Sequence, residues 1–147
     1  MLSRKLPEPY TFFIDRCLGE RTVPEALRAE GYAIRLHSEL FEDAIEDAVW
    51  LPEVGRRNLV VLTKDRAIRR NKIERDAILT AGVVAFLLSS GDATAQAMAS
   101  TIIGAMRSIH RALRRFPAPF IATVTAQGRV SVLYDAGGRL TPPKAVR

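Results

Sequence analysis

Four stretches of this chain place carboxylates where an active site could use them. Asp15 closes a short aromatic and β-branched run, Tyr10 to Ile14. Asp65 follows the run Leu59-Val60-Val61-Leu62-Thr63-Lys64, and Asp92 comes just after another, Val83 to Leu88, with Ser89 and Ser90 between. Glu42, Asp43, Glu46 and Asp47 crowd a segment between the first two. Carboxylates brought together repel one another and need a compensating cation, and hard oxygen ligands select Mg²⁺ or Mn²⁺. Such an ion can activate water and stabilise a pentacovalent phosphate. Arg16, Lys64, Arg66, Arg69 and Arg70 lie beside these acids and are suited to holding a phosphodiester backbone. Plainer roles stand next to these. Asp15 and Asp65 are also good turn residues, Asp47 suits a helix N-terminus, and Asp92 reads first as a helix N-cap and second as a ligand.

Other chemistries find no support. No G-x-G-x-x-G follows the first apolar run, and neither a G-x-x-x-x-G-K-[ST] phosphate loop nor a G-x-S-x-G nucleophile turn occurs. His37 and His110 have no partner at ligand spacing and read as structural, and no Cys/His cluster supports zinc. Trp50 reads as core. Cys17 is near Asp15 but has no histidine placed to activate it.

The elements that must position these acids alternate between two periods. Tyr10–Ile14 reads as a strand. Thr22-Val23-Pro24-Glu25 reads as a capping box opening a helix over Val23–Glu30, with Gly31 as its stop. Ala33–Leu36 reads as a second strand. A helix is expected over Asp43–Val54, facing the core with Val49, Trp50, Leu51 and Val54 and shortened or kinked by Pro52. Asn58–Thr63 is a buried-strand run of the parallel-sheet kind. Asn71-Lys72-Ile73-Glu74 resembles a second capping box, opening a helix that Gly82 ends, and Val83–Leu88 is a fourth strand. A long helix is expected from Asp92 to about Arg115, with Ala95, Met98, Ile102, Met106, Ile109 and Leu113 at helical spacing. Arg107, Arg111, Arg114 and Arg115 crowd its last turns, where they favour the helix dipole. Phe120–Thr125 and Val130–Tyr134 flank Gln127-Gly128 as a hairpin. The expected domain spans 9–135, and 136–147, with Pro142-Pro143, reads as a loose tail. The alternation implies an α/β fold with a mostly parallel sheet and helices on both faces. Sites in such sheets form beyond the carboxyl ends of the strands, where Asp15, Asp65 and Asp92 fall.

Composition narrows the class further. A chain of 147 residues, 48% apolar and 26% charged, can bury a core and is not a disordered or low-complexity sequence. The single cysteine rules out an internal disulfide and points to a reducing compartment such as the cytoplasm. No stretch has the roughly 20 apolar residues of a membrane span, and Arg4 and Lys5 followed only by Phe12-Phe13-Ile14 do not make a secretory signal. The net charge of +6 is unevenly placed: residues 1–55 hold 6 basic and 11 acidic side chains, and residues 56–147 hold 16 basic and 5 acidic ones. An acid-rich part beside a basic one suits a site that binds cations next to a surface that attracts polyanions.

Phe12-Phe13-Ile14-Asp15-Arg16, Asp47 three residues before Trp50-Leu51, and Val60-Val61-Leu62-Thr63-Lys64-Asp65-Arg66 with Ile68-Arg69 together resemble the PIN-like domains of VapC-type toxins. Pro119-Phe120-Ile121-Ala122-Thr123-Val124 is similar to the C-terminal hairpin of that group, and the likeness runs from about Thr11 to Tyr134. The resemblance implies a three-layer fold and a Mg²⁺- or Mn²⁺-dependent endoribonuclease. It also implies catalytic and metal-binding roles for Asp15, Asp47 and Asp65, with Asp92 near a fourth position where relatives often carry a non-acidic residue. RNA and a cognate antitoxin are the partners implied, with no membrane, and a homodimer is a further expectation. The alternative is a non-catalytic module of the same fold that binds RNA or protein.

Overall fold

The computed structural model describes residues 3–90 and 93–147. Its strands are β1 (Thr11–Ile14), β2 (Ala33–Leu36), β3 (Val60–Thr63), β4 (Val84–Leu88), β5 (Phe120–Val124), β6 (Val130–Asp135) and β7 (Gly138–Val146). Among the described residues these form one sheet in the order β2-β1-β3-β4-β5-β6-β7. The first five run parallel, and β6 and β7 return antiparallel. β3, β4 and β5 are buried at every position, which is why their sequences read as unbroken apolar runs.

The two-residue period of each strand divides its side chains between two cores. Phe12, Ile14, Val60, Leu62, Val84 and Phe86 face α1 (Thr22–Ala29) and α6 (Ala95–Arg115). Phe13, Val61, Ala85 and Leu87 face α3 (Asp47–Arg56), α4 (Ala67–Arg70) and α5 (Lys72–Thr80). A one-turn helix, α2 (His37–Leu40), follows β2 directly, with Glu39 accepting from the Leu36 N–H at 2.7 Å. This edge strand is further covered by Arg28, which donates to the Ile34 carbonyl at 3.0 Å.

Several expectations shift by a turn or less, each for a local reason. α1 begins at Thr22 with Arg21 as its N-cap, so Thr22 is the first helical residue and its hydroxyl makes no cap bond. Pro24 remains in the first turn, where the missing N–H costs nothing. α3 begins at Asp47, not Asp43, and continues through Pro52 to Arg56. Pro52 removes only the bond to the Ala48 carbonyl, and it is exposed. Trp50, Leu51 and Val54 form the buried stripe of α3, while Val49 falls outside it and is 59% exposed. α6 is capped by Thr94, whose hydroxyl accepts from the Ala97 N–H at 3.1 Å, so the N-cap expected at Asp92 lies two residues further on. The expected loose tail is instead β7, paired along β6 from Asp135↔Gly138 to Val130↔Val146. Its Pro142 and Pro143 are exposed and fall where the register with β6 shifts, so they remove no ladder bond the pairing needs.

The approach of α3 to α5 sets the width of the acidic cleft between them. Gly55 sits so close to the end of α5 that a Cβ there would lie 2.1 Å from the Ala81 carbonyl oxygen. Arg4 clamps the same junction, donating to the Gly55 carbonyl at 2.7 Å and to Asn58 Oδ1 at 2.9 Å. Gly55→Ala is expected to cost roughly 1–3 kcal/mol through overpacking against backbone. Gly104→Ala in α6, where an added Cβ meets nothing within 4 Å, is expected to gain up to about 1 kcal/mol. Urea unfolding of the two variants checks both signs, and a neutral Gly55→Ala would show that the junction is looser than described.

Candidate active site

The carboxyl ends of β1 and β3 converge on one buried hydroxyl. Val61 and Thr63 face the α3–α5 side of the sheet, and Thr63 is 0% exposed. Its Oγ1 donates to Asp15 Oδ2 at 2.8 Å, which commits its only proton. The lone pairs then serve donors: the Asp65 backbone N–H at 3.1 Å and the Cys17 thiol at 3.3 Å. One hydroxyl therefore ties the acid after β1 to the backbone of the acid after β3. Asp65 is also turned by the Ala67 N–H, which donates to its Oδ1 at 2.9 Å and starts α4. Cys17 is exposed as a residue, yet its sulfur also accepts from the Lys64 N–H at 3.4 Å. Desolvation and the Asp15 charge push its thiol up from the ordinary value, so it stays protonated and is not an activated nucleophile.

Asp15, Asp47 and Asp65 line a single cavity of about 210 Å³, together with an acid the sequence reading had assigned elsewhere, Glu74. Its apolar wall includes Trp50, Val61, Ile68 and Ile78. Asp47 opens α3, and its Oδ1 accepts from the Trp50 indole N–H at 2.8 Å. The Asn71–Glu74 spacing predicts Glu74 as the reciprocal half of a capping box. Asn71 does cap α5, its Oδ1 accepting from the Ile73 N–H at 2.9 Å, but Glu74 turns into the cavity. Burial, then the charges of Asp65 and Asp47, raise its carboxyl above the ordinary value. A glutamate one turn into the helix that follows the β3 acid was the signal available in sequence.

Four carboxylates on one cavity gather negative charge and hard oxygen donors, which fit a divalent cation. As placed, no three His, Cys, Asp or Glu side chains of the described residues converge on one point; Asp15 is bonded to Thr63, Asp47 to Trp50 and Asp65 to the Ala67 N–H. Asp92 lies outside the described residues.

The basic residues gather beside this cavity. Arg66, Arg69 and Arg70 line a second hollow of about 400 Å³ with Leu87, Leu88 and Ser89, next to Asp65. Arg75 pins the end of α4 by donating to the Arg69 carbonyl at 2.7 Å. Arg16 is exposed and donates to the Asp43 carbonyl at 2.7 Å, and Lys64 is half-buried between Thr63 and Asp65. Neither histidine lines the acidic cavity. His110 holds the Met106 carbonyl at 2.9 Å within α6. His37 is 1% exposed among Phe13, Phe41 and Trp50, and burial, then the Arg16 charge, holds it below its ordinary pKa. No helix of the described residues is long and apolar enough to cross a membrane.

The raised Glu74 carboxyl gives a signed expectation. A folded-state pKa above the unfolded one means that ionisation destabilises the fold. This cost is absent below the unfolded value, near 4.3, and fully present once pH exceeds the folded value. In chelator-containing buffer, Glu74→Gln is expected to raise the melting temperature at pH 7 and leave it unchanged at pH 4. A variant less stable than wild type at pH 7 would mean that the carboxylate has a stabilising partner.

Residues 10–90 match the family model described as PIN like domain. The chain is 34% identical over 125 residues to "Putative ribonuclease VapC45" of Mycobacterium tuberculosis, a match covering 82% of this chain and 90% of that protein. No solved structure gives a significant match.

Proposed function

The chain belongs to the PIN-like domain family, among its VapC-type members, and on that premise we propose that it is a divalent-metal-dependent endoribonuclease, the toxin half of a toxin–antitoxin pair. The observation that carries this reading is the joining of Asp15 and Asp65 through the buried Thr63 hydroxyl, on a cavity shared with Asp47. Asp15, Asp47 and Asp65 would hold a Mg²⁺ or Mn²⁺ ion, which would supply water activation and charge stabilisation at a scissile phosphate. The chain's own contribution is placement. Thr63 fixes the Asp15 carboxylate and the Asp65 backbone, the start of α3 supplies Asp47, and the apolar wall keeps the local dielectric low. Arg66, Arg69 and Arg70 receive phosphates beside the cavity, and Arg16 and Lys64 flank it. The excess of positive charge after residue 56 suits a polyanionic substrate. A cognate antitoxin is the protein partner this reading implies, and cytoplasmic action follows from an RNA substrate.

The single observation favouring a non-catalytic binding module is that the carboxylates, as placed, do not converge. Cleavage assays on total RNA separate the two readings. Asp15→Asn and Asp65→Asn are each expected to lower cleavage by orders of magnitude while leaving the fold intact, because each removes a charged ligand and relieves repulsion. A chelator is expected to abolish cleavage and Mn²⁺ to restore it. Either aspartate variant cleaving at the wild-type rate would remove that residue from the site.

The arginine hollow is tested by salt. On single strands each phosphate contact contributes a log–log slope of roughly −0.7. Replacing Arg69 and Arg70 together by Gln in an Asp15→Asn background is expected to weaken RNA binding and flatten the slope by one to two contacts, about 0.7–1.4. An unchanged slope would move the RNA path to Arg107, Arg111 and Arg114 on α6.

A further inference from the structure

Trp50 is more than a filler of the α3 core. Its indole N–H donates to Asp47 Oδ1 at 2.8 Å, one turn back along α3. The ring is 6% exposed and stacks on Phe13 with centroids 5.3 Å apart and planes 29° from parallel. The other rings against it are His37, edge-on at 5.8 Å, and Phe41 at 6.3 Å. Phe13 is wholly buried in β1, two residues before Asp15. The strand that carries Asp15 therefore also fixes the indole, and the indole fixes the acid at the start of α3.

We propose that Trp50 is a positioning residue of the acidic site: clamped on Phe13, it uses its indole N–H to hold the Asp47 carboxylate at the wall of the cavity that Asp15 also lines. The proposal rests on the reading of Asp47 as a metal ligand. The helix start alone does not fix this carboxylate, because Asp47 is exposed and the residues before it, Phe41 to Glu46, form no regular helix. A charged carboxylate held by a neutral N–H is a strong hydrogen bond, and such bonds behind a ligand commonly set metal affinity by tenfold or more.

Trp50→Phe keeps an aromatic ring for Phe13 and deletes the donor. With Mn²⁺ as probe and calorimetry as readout, the variant is expected to bind about tenfold more weakly than wild type. In an Asp47→Ala background the same change is expected to have no further effect. A purely structural tryptophan lowers the melting temperature but leaves Mn²⁺ affinity where it was in the folded protein, and that result overturns the proposal. The clamp is also read without metal, and without altering Trp50. The chain has one tryptophan, hence one indole ¹⁵N–¹H resonance. Asp47→Ala is expected to move that resonance and speed its exchange with solvent; an unmoved resonance overturns the proposal even if Trp50→Phe fails to fold. A wild-type chain that binds no Mn²⁺ overturns the metal reading of the site instead, and the indole resonance alone then decides whether Trp50 holds Asp47.

Discussion

A single hydroxyl proton organises the acidic edge of this molecule. Thr63 ends a strand whose four residues are all buried, and a polar group at such a place must find partners or destabilise the fold. Its proton goes to Asp15, so its oxygen can only accept from the Asp65 backbone and the Cys17 thiol. Direction is thus imposed on the whole network: the carboxylate must be the acceptor, the thiol must remain protonated, and the chain must turn at Asp65. Valine at this position would have the right shape and none of these consequences.

The two faces of the sheet serve different ends. The α1–α6 face is a thick apolar layer that includes Ile102, Met106 and Ile109, and none of the proposed ligands lies there. The α3–α5 face is thinner and keeps an open cavity, because Gly55 lets α3 meet the end of α5 while their starts, Asp47 and Lys72–Glu74, stay far enough apart for four acids to share the gap. Close packing at one end and mutual repulsion at the other are properties of the same helix pair. Glu74 records that repulsion in its raised carboxyl.

The sheet interior was legible in sequence because full burial leaves little choice of residue. β1, β3 and β4 lie within two residues of the limits expected from sequence, and Asp15 and Asp65 follow β1 and β3. What was misread were the places where one local motif has two uses. The serine-, threonine- and acid-rich starts of helices look alike whether the first polar residue caps or merely begins the helix, hence Thr22 and the displacement from Asp92 to Thr94. Glu74 met the capping-box pattern and yet serves the cavity, since only tertiary packing decides which way a first-turn glutamate turns. In sequence, β7 reads as a tail because Gly137-Gly138 and Pro142-Pro143 are breakers in isolation. Its pairing partner, not its own propensity, makes it a strand.

The same β7 bears on how the protein behaves when crowded. An open sheet has two edges, and each offers backbone groups to any passing extended chain. At one edge, neither Pro142 nor Pro143 has an N–H to offer, and the exposed Arg139 and Lys144 put charge beside them. At the other, β2 is only four residues long, and Arg28 and Glu39 already occupy the Ile34 carbonyl and the Leu36 N–H. Neither border is a good template for adding a strand. Copies of this chain made in excess are thereby discouraged from zipping edge to edge, and association is left to the helical faces, where side chains rather than backbone choose the partner.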